Sequence, residues 1–315
     1  MSDPDIAANP RRKRLSWRYR IPLYFVAGYV AYCVILFFAQ DTMIFPAHYA
    51  GSPGALVPEG TQTLTLHIDE GQVVAWYLPA ANASAEQPAP LVVFFHGNAE
   101  LIDYQHDIIE FYHRLGVSVL LPEYRGYGRS DGKPSQQSVT ADAIAFYDQV
   151  VERPEVDAQR IVIHGRSIGG AVAAQLAGQR TPSVLVVEST GTSVARMAMG
   201  YGIPPFLVKH PFYTDRVVRQ LDAPVLIMHG RSDEIFPFAH AQTLERIAED
   251  ARLVDFDSGH NGLPSLGQRE RYESAVRTRL QEAGILPPEA PPKIVSDATP
   301  EVAPEVPPEA SESGG

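Results

Sequence analysis

The sequence predicts an α/β chain: a doubly wound, mostly parallel sheet preceded by one N-terminal transmembrane helix. Three observations predict it. Short, nearly continuous apolar runs alternate with helical patterns through the middle of the chain. Residues 21–39 carry no charge at all. A Gly-x-Ser-x-Gly pentapeptide, Gly165 to Gly169, joins one apolar run to one helical stretch.

Residues 1–20 form a basic leader that ends in "RRKRLSWRYR", with Trp17 and Tyr19 at the level expected of lipid headgroups. Ile21 to Ala39, "IPLYFVAGYVAYCVILFFA", comes close to the roughly 20 residues that span a bilayer core. From Asp41 to His113 there is neither Lys nor Arg. That asymmetry predicts a single-pass protein with its N-terminus in the cytoplasm and its body outside, a bacterial inner membrane facing the periplasm being the expected setting. A cleaved signal peptide has a shorter apolar region and is followed by a small-residue cleavage site, which is missing here.

After a linker over 40–60, one folded domain is expected over 61–285. "TLTLHI" and "QVVAWYL" alternate with period two and predict an antiparallel hairpin around Asp69-Glu70-Gly71. "LVVFF" (91–95), "VSVLL" (117–121), "IVI" (161–163), "VLVV" (184–187) and "VLIMH" (225–229) read as strands buried on both faces, with "RLVDF" (252–256) as a sixth. Helical patterns fall between them, near 101–115, 138–151, 169–178, 239–250 and 267–283. Residues 286–315 are rich in Pro, Glu and Ala, contain no aromatic, and predict a disordered tail.

Composition narrows the chemistry. A net charge of −11 argues against a nucleic-acid partner. Cys33 is the single cysteine, which excludes a disulfide framework and a thiolate-rich metal site. No metal and no cofactor is expected.

The tripeptide Gly-Arg-Ser occurs three times, ending at Ser130, Ser167 and Ser232. Ser130 precedes "DGKPS" and Ser232 precedes "DEIFP", both turn-rich. Only Ser167 lies between a strand and a helix. A sharp turn there needs minimal side chains two residues either side, and it exposes the serine at the strand's carboxyl end. A serine hydroxyl is a weak nucleophile and needs a base, itself oriented by a third group. His260 in "DSGHNG" and Asp233 in "HGRSDE" both follow strands and reach the same sheet edge. The N–H of Ile168, at the helix start, is the first expected oxyanion donor, and that of Asn98, in the "HGNAE" loop after "LVVFF", is the second. His164 and His229 read as packed, and His106, His113 and His240 as helical.

The combination "FFHGNAE", "PEYRGYGRSDGKPS", "GRSIGG", "HGRSDEIFP" and "SGHNG" resembles the α/β-hydrolase superfamily over most of Leu64 to Gln281. It is most similar to the branch holding ABHD-type depalmitoylases and bacterial membrane-anchored serine hydrolases. The resemblance implies a serine esterase or thioesterase with Ser167, Asp233 and His260 as catalytic triad, in the chain order Ser, Asp, His. Glu188 after "VLVV" is the competitor for the acid, because some members place it there. Glu100 departs from the glycine common in the family, and it needs to be paired or turned away from the oxyanion. Arg125 is expected to pair with Asp131.

Between Glu188 and the next strand, "STGTSVARMAMGYGIPPFLVKHPFY" is apolar and broken by Pro and Gly. Met197, Met199, Tyr201 and Phe206 are the candidate substrate-binding residues. The partners expected are an acylated small molecule, lipid or acyl-protein as substrate, and the membrane through residues 21–39. Two other readings stay open. One is a peptidase of the same fold, with Glu100 and Glu188 as an acidic patch for an amino terminus. The other is a catalytically silent, membrane-anchored scaffold.

Overall fold

The computed structural model describes residues 16–54, 56–263 and 267–288. The basic run Arg11–Arg14 and the tail from Glu289 onward lie outside the described residues.

Eight strands form one sheet in the order β1-β2-β4-β3-β5-β6-β7-β8. β1 (Gln62–Ile68) and β2 (Gly71–Leu78) are the antiparallel hairpin that the period-two pattern predicts. β2 also pairs antiparallel with β4 (Ser118–Pro122). The remaining neighbours, β3 (Ala89–Phe95), β5 (Val156–Arg166), β6 (Val184–Glu188), β7 (Val225–Gly230) and β8 (Ala251–Phe256), run parallel. The continuous apolar runs are explained by burial on both faces. Along β3, Leu91, Val93 and Phe95 join one core cluster, while Val92 and Phe94 join the other.

The first cluster is closed by α3 (Gln136–Val151), α4 (Ile168–Ala177), α6 (Thr214–Gln220) and α7 (Ala239–Ile247). The second is closed by α2 (His106–Arg114) and α8 (Arg269–Glu282). Expected and observed boundaries differ for physical reasons. The helix expected over 101–115 is divided: Ile102–Tyr104 is a single 3-10 turn, and the Ile102 N–H is taken by the Glu123 carboxylate at 3.2 Å. α7 stops at Ile247 because Ala248 is extended and leads into β8. The broken segment after β6 holds a short helix, α5 (Val194–Gly200), capped by the Ser193 hydroxyl, which accepts from the Arg196 N–H.

The N-terminal apolar helix α1 runs from Trp17 to Ile44 and is long and apolar enough to cross a membrane. It continues five residues past the uncharged segment 21–39. Those residues have partners in the body of the protein: Asp41 accepts from Lys209 Nζ at 2.8 Å and lies 3.0 Å from His210 Nε2.

Candidate active site

β5 ends at Arg166 and α4 starts at Ile168, so the connection is Ser167 alone. Ser167 has φ 55°, in the left-handed region that non-glycine residues rarely enter. Backbone proximity imposes this conformation. A Cβ on Gly165 would lie 2.1 Å from the Gly169 carbonyl oxygen, and one on Gly169 would lie 2.2 Å from the Phe95 carbonyl oxygen. The two flanking glycines let α4 start directly against β3 and β5. The turn is pinned by the Ser167 N–H donating to the Glu188 carbonyl at 2.8 Å, and by the Thr190 hydroxyl donating to the Ser167 carbonyl at 2.9 Å.

Ser167 Oγ lies 2.9 Å from His260 Nε2, and His260 Nδ1 lies 2.9 Å from Asp233 Oδ2. Burial pushes the Asp233 carboxyl up. Hydrogen bonds from His229 and His260 and from the Phe236 N–H outweigh burial, and its pKa falls well below the ordinary carboxylate range. An ionised carboxylate only accepts, so His260 carries its proton on Nδ1 and its Nε2 lone pair faces the Ser167 hydroxyl. Asp233 is itself fixed: its Oδ1 accepts the N–H groups of Ile235 at 2.9 Å and Phe236 at 2.7 Å. His229, read from sequence as packed, is buried with Nε2 3.2 Å from Asp233 Oδ2.

The other two Gly-Arg-Ser serines are placed as their turn-rich contexts predict. Ser130 is buried and accepts the Val74 N–H at 3.0 Å, tying its loop to β2. Ser232 sits exposed in the turn after β7. Glu188, the competing acid, is engaged elsewhere: it is fully buried, bonded to Arg166 Nε, and 3.7 Å from His164 Nε2.

Arg166 is the hub of this charged group, bonding Glu188 and also Glu100, at 3.3 Å. Glu100 also accepts from Gln105 at 2.9 Å. Its charge is therefore balanced before any oxyanion forms. Arg125 departs from expectation. It clasps Asp142 through Nε at 2.7 Å and Nη2 at 2.8 Å, whereas Asp131 is taken by the backbone N–H of Gln72.

Ile168 opens α4, where helix N–H groups have no acceptor within the helix. Asn98 belongs to the loop after β3, and the "PEYRGYG" stretch holds that loop. The Tyr127 hydroxyl donates to the Asn98 carbonyl and the Tyr124 hydroxyl to the His96 carbonyl, both at 2.8 Å. His96 Nε2 lies 2.7 Å from Glu123 Oε1 in a buried pair. Two sequence motifs that look independent thus make one rigid unit.

Ser167, His260, Ile168 and Asn98 line one cavity of about 580 Å³. Met197 and Tyr201 line it too. Met199 does not: it is exposed and borders neither this cavity nor the groove beside it. Phe206 borders the neighbouring groove instead. α5 is so short that successive positions face different ways, and an apolar letter alone could not separate them. The residues that sequence reasoning missed are Leu36, Phe37, Gln40, Met43 and Ile44, all on α1. Their signal was the spacing of three and four along a helix read only as an anchor.

Comparisons with known proteins agree with this fold. A family model described as "Serine aminopeptidase, S33" matches residues 86–209. The uncharacterized protein Rv2307c of Mycobacterium tuberculosis is 33% identical over 84% of this chain and 96% of its own length. The alpha/beta hydrolase domain-containing protein WAV2 of Arabidopsis thaliana is 32% identical over 59% of this chain and 67% of its own. Among solved structures, esterase Est2 of Thermogutta terrifontis superposes with a TM-score of 0.59 at 18% identity, covering 74% of this chain and 97% of that one. The chain belongs to the α/β-hydrolase family.

Proposed function

We propose that the protein is a membrane-anchored hydrolase that cleaves a carboxylic ester or thioester through Ser167, His260 and Asp233. The observation that carries the reading is the chain of two 2.9 Å contacts, Ser167 Oγ to His260 Nε2 and His260 Nδ1 to Asp233 Oδ2, at the cavity floor. Ser167 Oγ attacks the acyl carbonyl and its proton passes to His260 Nε2. The carbonyl oxygen, now an anion, accepts from the Ile168 and Asn98 N–H groups. Collapse of this intermediate expels the alcohol or thiol, which takes the proton from His260 and leaves the acyl group on Ser167. Water then gives a proton to His260 and adds to the acyl carbon, and the acid leaves as Ser167 recovers its proton. Asp233 holds the imidazole and balances its transient positive charge.

The anchor reading rests on α1 and on the Lys and Arg asymmetry around it, which orients the body away from the cytoplasm. An alkaline phosphatase fused after Gly284 is expected to be active in a bacterial host. Activity of a cytosolic reporter alone at that position contradicts the orientation.

The match to the serine aminopeptidase family model favours a second reading, an aminopeptidase. Glu100 and Glu188 do not support it, because Arg166 engages both carboxylates. Hydrolysis of p-nitrophenyl esters of two to sixteen carbons, against amino-acid p-nitroanilides, separates the two. Ester turnover that Ser167→Ala lowers by about 10³-fold or more is expected. Anilide turnover with inert esters would establish the peptidase instead.

A further inference from the structure

The cavity above Ser167 has a wall from outside the hydrolase body. Leu36, Phe37, Gln40, Met43 and Ile44 of α1 line it, beside Ile168 and Val194. An adjoining apolar groove lies between α1, from Tyr29 to Phe38, and Pro204, Phe206 and Leu207. Phe37 and Leu207 border both spaces, so the groove continues the cavity along the helix.

The α1 side chains involved are not scattered. Tyr29, Cys33, Leu36, Gln40 and Ile44 recur every three or four positions, which is one face of a helix. Ile35, off this face, is exposed. Polar contacts fix the packed face at several levels. The Tyr29 and Tyr32 hydroxyls donate to the carbonyls of Gly202 and Tyr201 at 2.8 and 2.9 Å. Gln40 donates to the Leu207 carbonyl at 3.1 Å and accepts the Lys209 N–H at 2.7 Å.

These contacts set a depth. Tyr32 and Tyr29 lie seven and ten residues before Ala39, the end of the uncharged segment. At about 1.5 Å per residue they sit roughly 10 and 15 Å inside that end. Their partners in 201–202 share that level, within the hydrocarbon layer when 21–39 spans it. The large apolar side chains that this segment exposes are Met199, Tyr201 and Phe206, at 56%, 69% and 84%. Lipid rather than water is the solvent that suits them.

We infer that α1 is a wall of the substrate site as well as an anchor, and that the cavity opens sideways into the bilayer to take a long-chain monoacyl lipid ester. The inference rests on the ester-hydrolase reading above and names its substrate class. A volume of about 580 Å³ suits one small amphiphile. Asn98, Arg166 and Asn261, beside Ser167 and His260, give the reacting end polar partners, while the α1 end is apolar except for Gln40, whose amide is engaged by the Leu207 and Lys209 backbone. A lipid with its ester near the surface and its chain along α1 matches both ends.

The test uses the full-length protein in lipid nanodiscs, with 1-palmitoylglycerol in the bilayer and p-nitrophenyl acetate in the water. Leu36→Trp, which fills the α1 wall, is expected to lower palmitoylglycerol turnover at least tenfold more than acetate turnover. Ile35→Trp, off the packed face, keeps the wild-type ratio. A Leu36→Trp protein that labels at Ser167 with a fluorophosphonate and keeps the wild-type ratio overturns the inference and leaves the hydrolase reading standing. Turnover of a nanodisc-tethered S-palmitoyl peptide with none of palmitoylglycerol overturns the lipid class. Absence of Ser167-dependent turnover of any ester removes the hydrolase reading and the inference together. Depth is read separately: a bimane label at Phe206→Cys, in a Cys33→Ser background, is expected to be quenched by brominated lipids. Quenching by aqueous iodide alone contradicts immersion.

Discussion

At Ser167 the left-handed backbone and the placement of the hydroxyl at the carboxyl end of β5 have one cause, the close approach of α4 to β3 and β5. Gly169→Ala pushes a methyl against the Phe95 and His96 carbonyls, 2.2 and 2.5 Å from the new Cβ. It is expected to abolish activity or soluble expression, whereas Gly54→Ala, with nothing within 4 Å, changes neither in the same expression and activity assay. Asp233→Asn keeps the shape but lets the amide donate to His260 and favours the wrong tautomer; kcat is expected to fall about 10³- to 10⁴-fold with KM little changed. Glu188 shows how pH enters. Burial raises its carboxyl, but the Arg166 charge and a hydrogen bond from His164 outweigh burial and bring it down to about 2. A depressed carboxylate stabilises the fold above its ordinary pKa of roughly 4.3 and loses that contribution as pH falls towards the folded value. The melting-temperature gap between wild type and Glu188→Gln is therefore expected to be steady above about pH 5 and to close below about pH 4. A gap that instead opens in acid contradicts the assignment.

Elements were legible in the sequence where burial sets the pattern. All six parallel-type runs are strands, and in the first five burial on both faces makes nearly every position apolar, whereas β8, at the sheet edge, is only partly covered. The segment after β6 was not legible. α5 and α6 are seven residues each, too short for a period to emerge, and the cavity-facing positions of α5, Val194, Met197 and Ala198, are shared with a wall from α1. The triad candidates were readable because each follows a strand at one edge of the sheet. The hold of Tyr127 on the Asn98 carbonyl was not, since it joins loops 29 positions apart. Tyr127→Phe removes that hold and leaves the ring. A several-fold drop in kcat with unchanged KM is expected, because in the proposed mechanism the Asn98 N–H is used only when the oxyanion forms. An effect confined to KM contradicts this positioning role.

Across the whole molecule, one apolar helix combines two features. Its first part has the composition of a membrane anchor, and its stretch from Leu36 to Ile44 borders the cavity that holds Ser167. Charge is ordered on the same scale: the acidic excess lies in the body and tail, and the basic run stands before α1. Sequence patterning reveals the apolar helix and the α/β body separately, yet it cannot show that they touch, since the contact pairs positions near 40 with positions near 207. The measurement that tests the central claim most directly is peptide mapping of the folded full-length protein after treatment with a fluorophosphonate. A single adduct on Ser167, lost in His260→Ala although the serine is still present, is the predicted result. An unlabelled Ser167 in folded wild-type protein, or labelling that persists without His260, contradicts it.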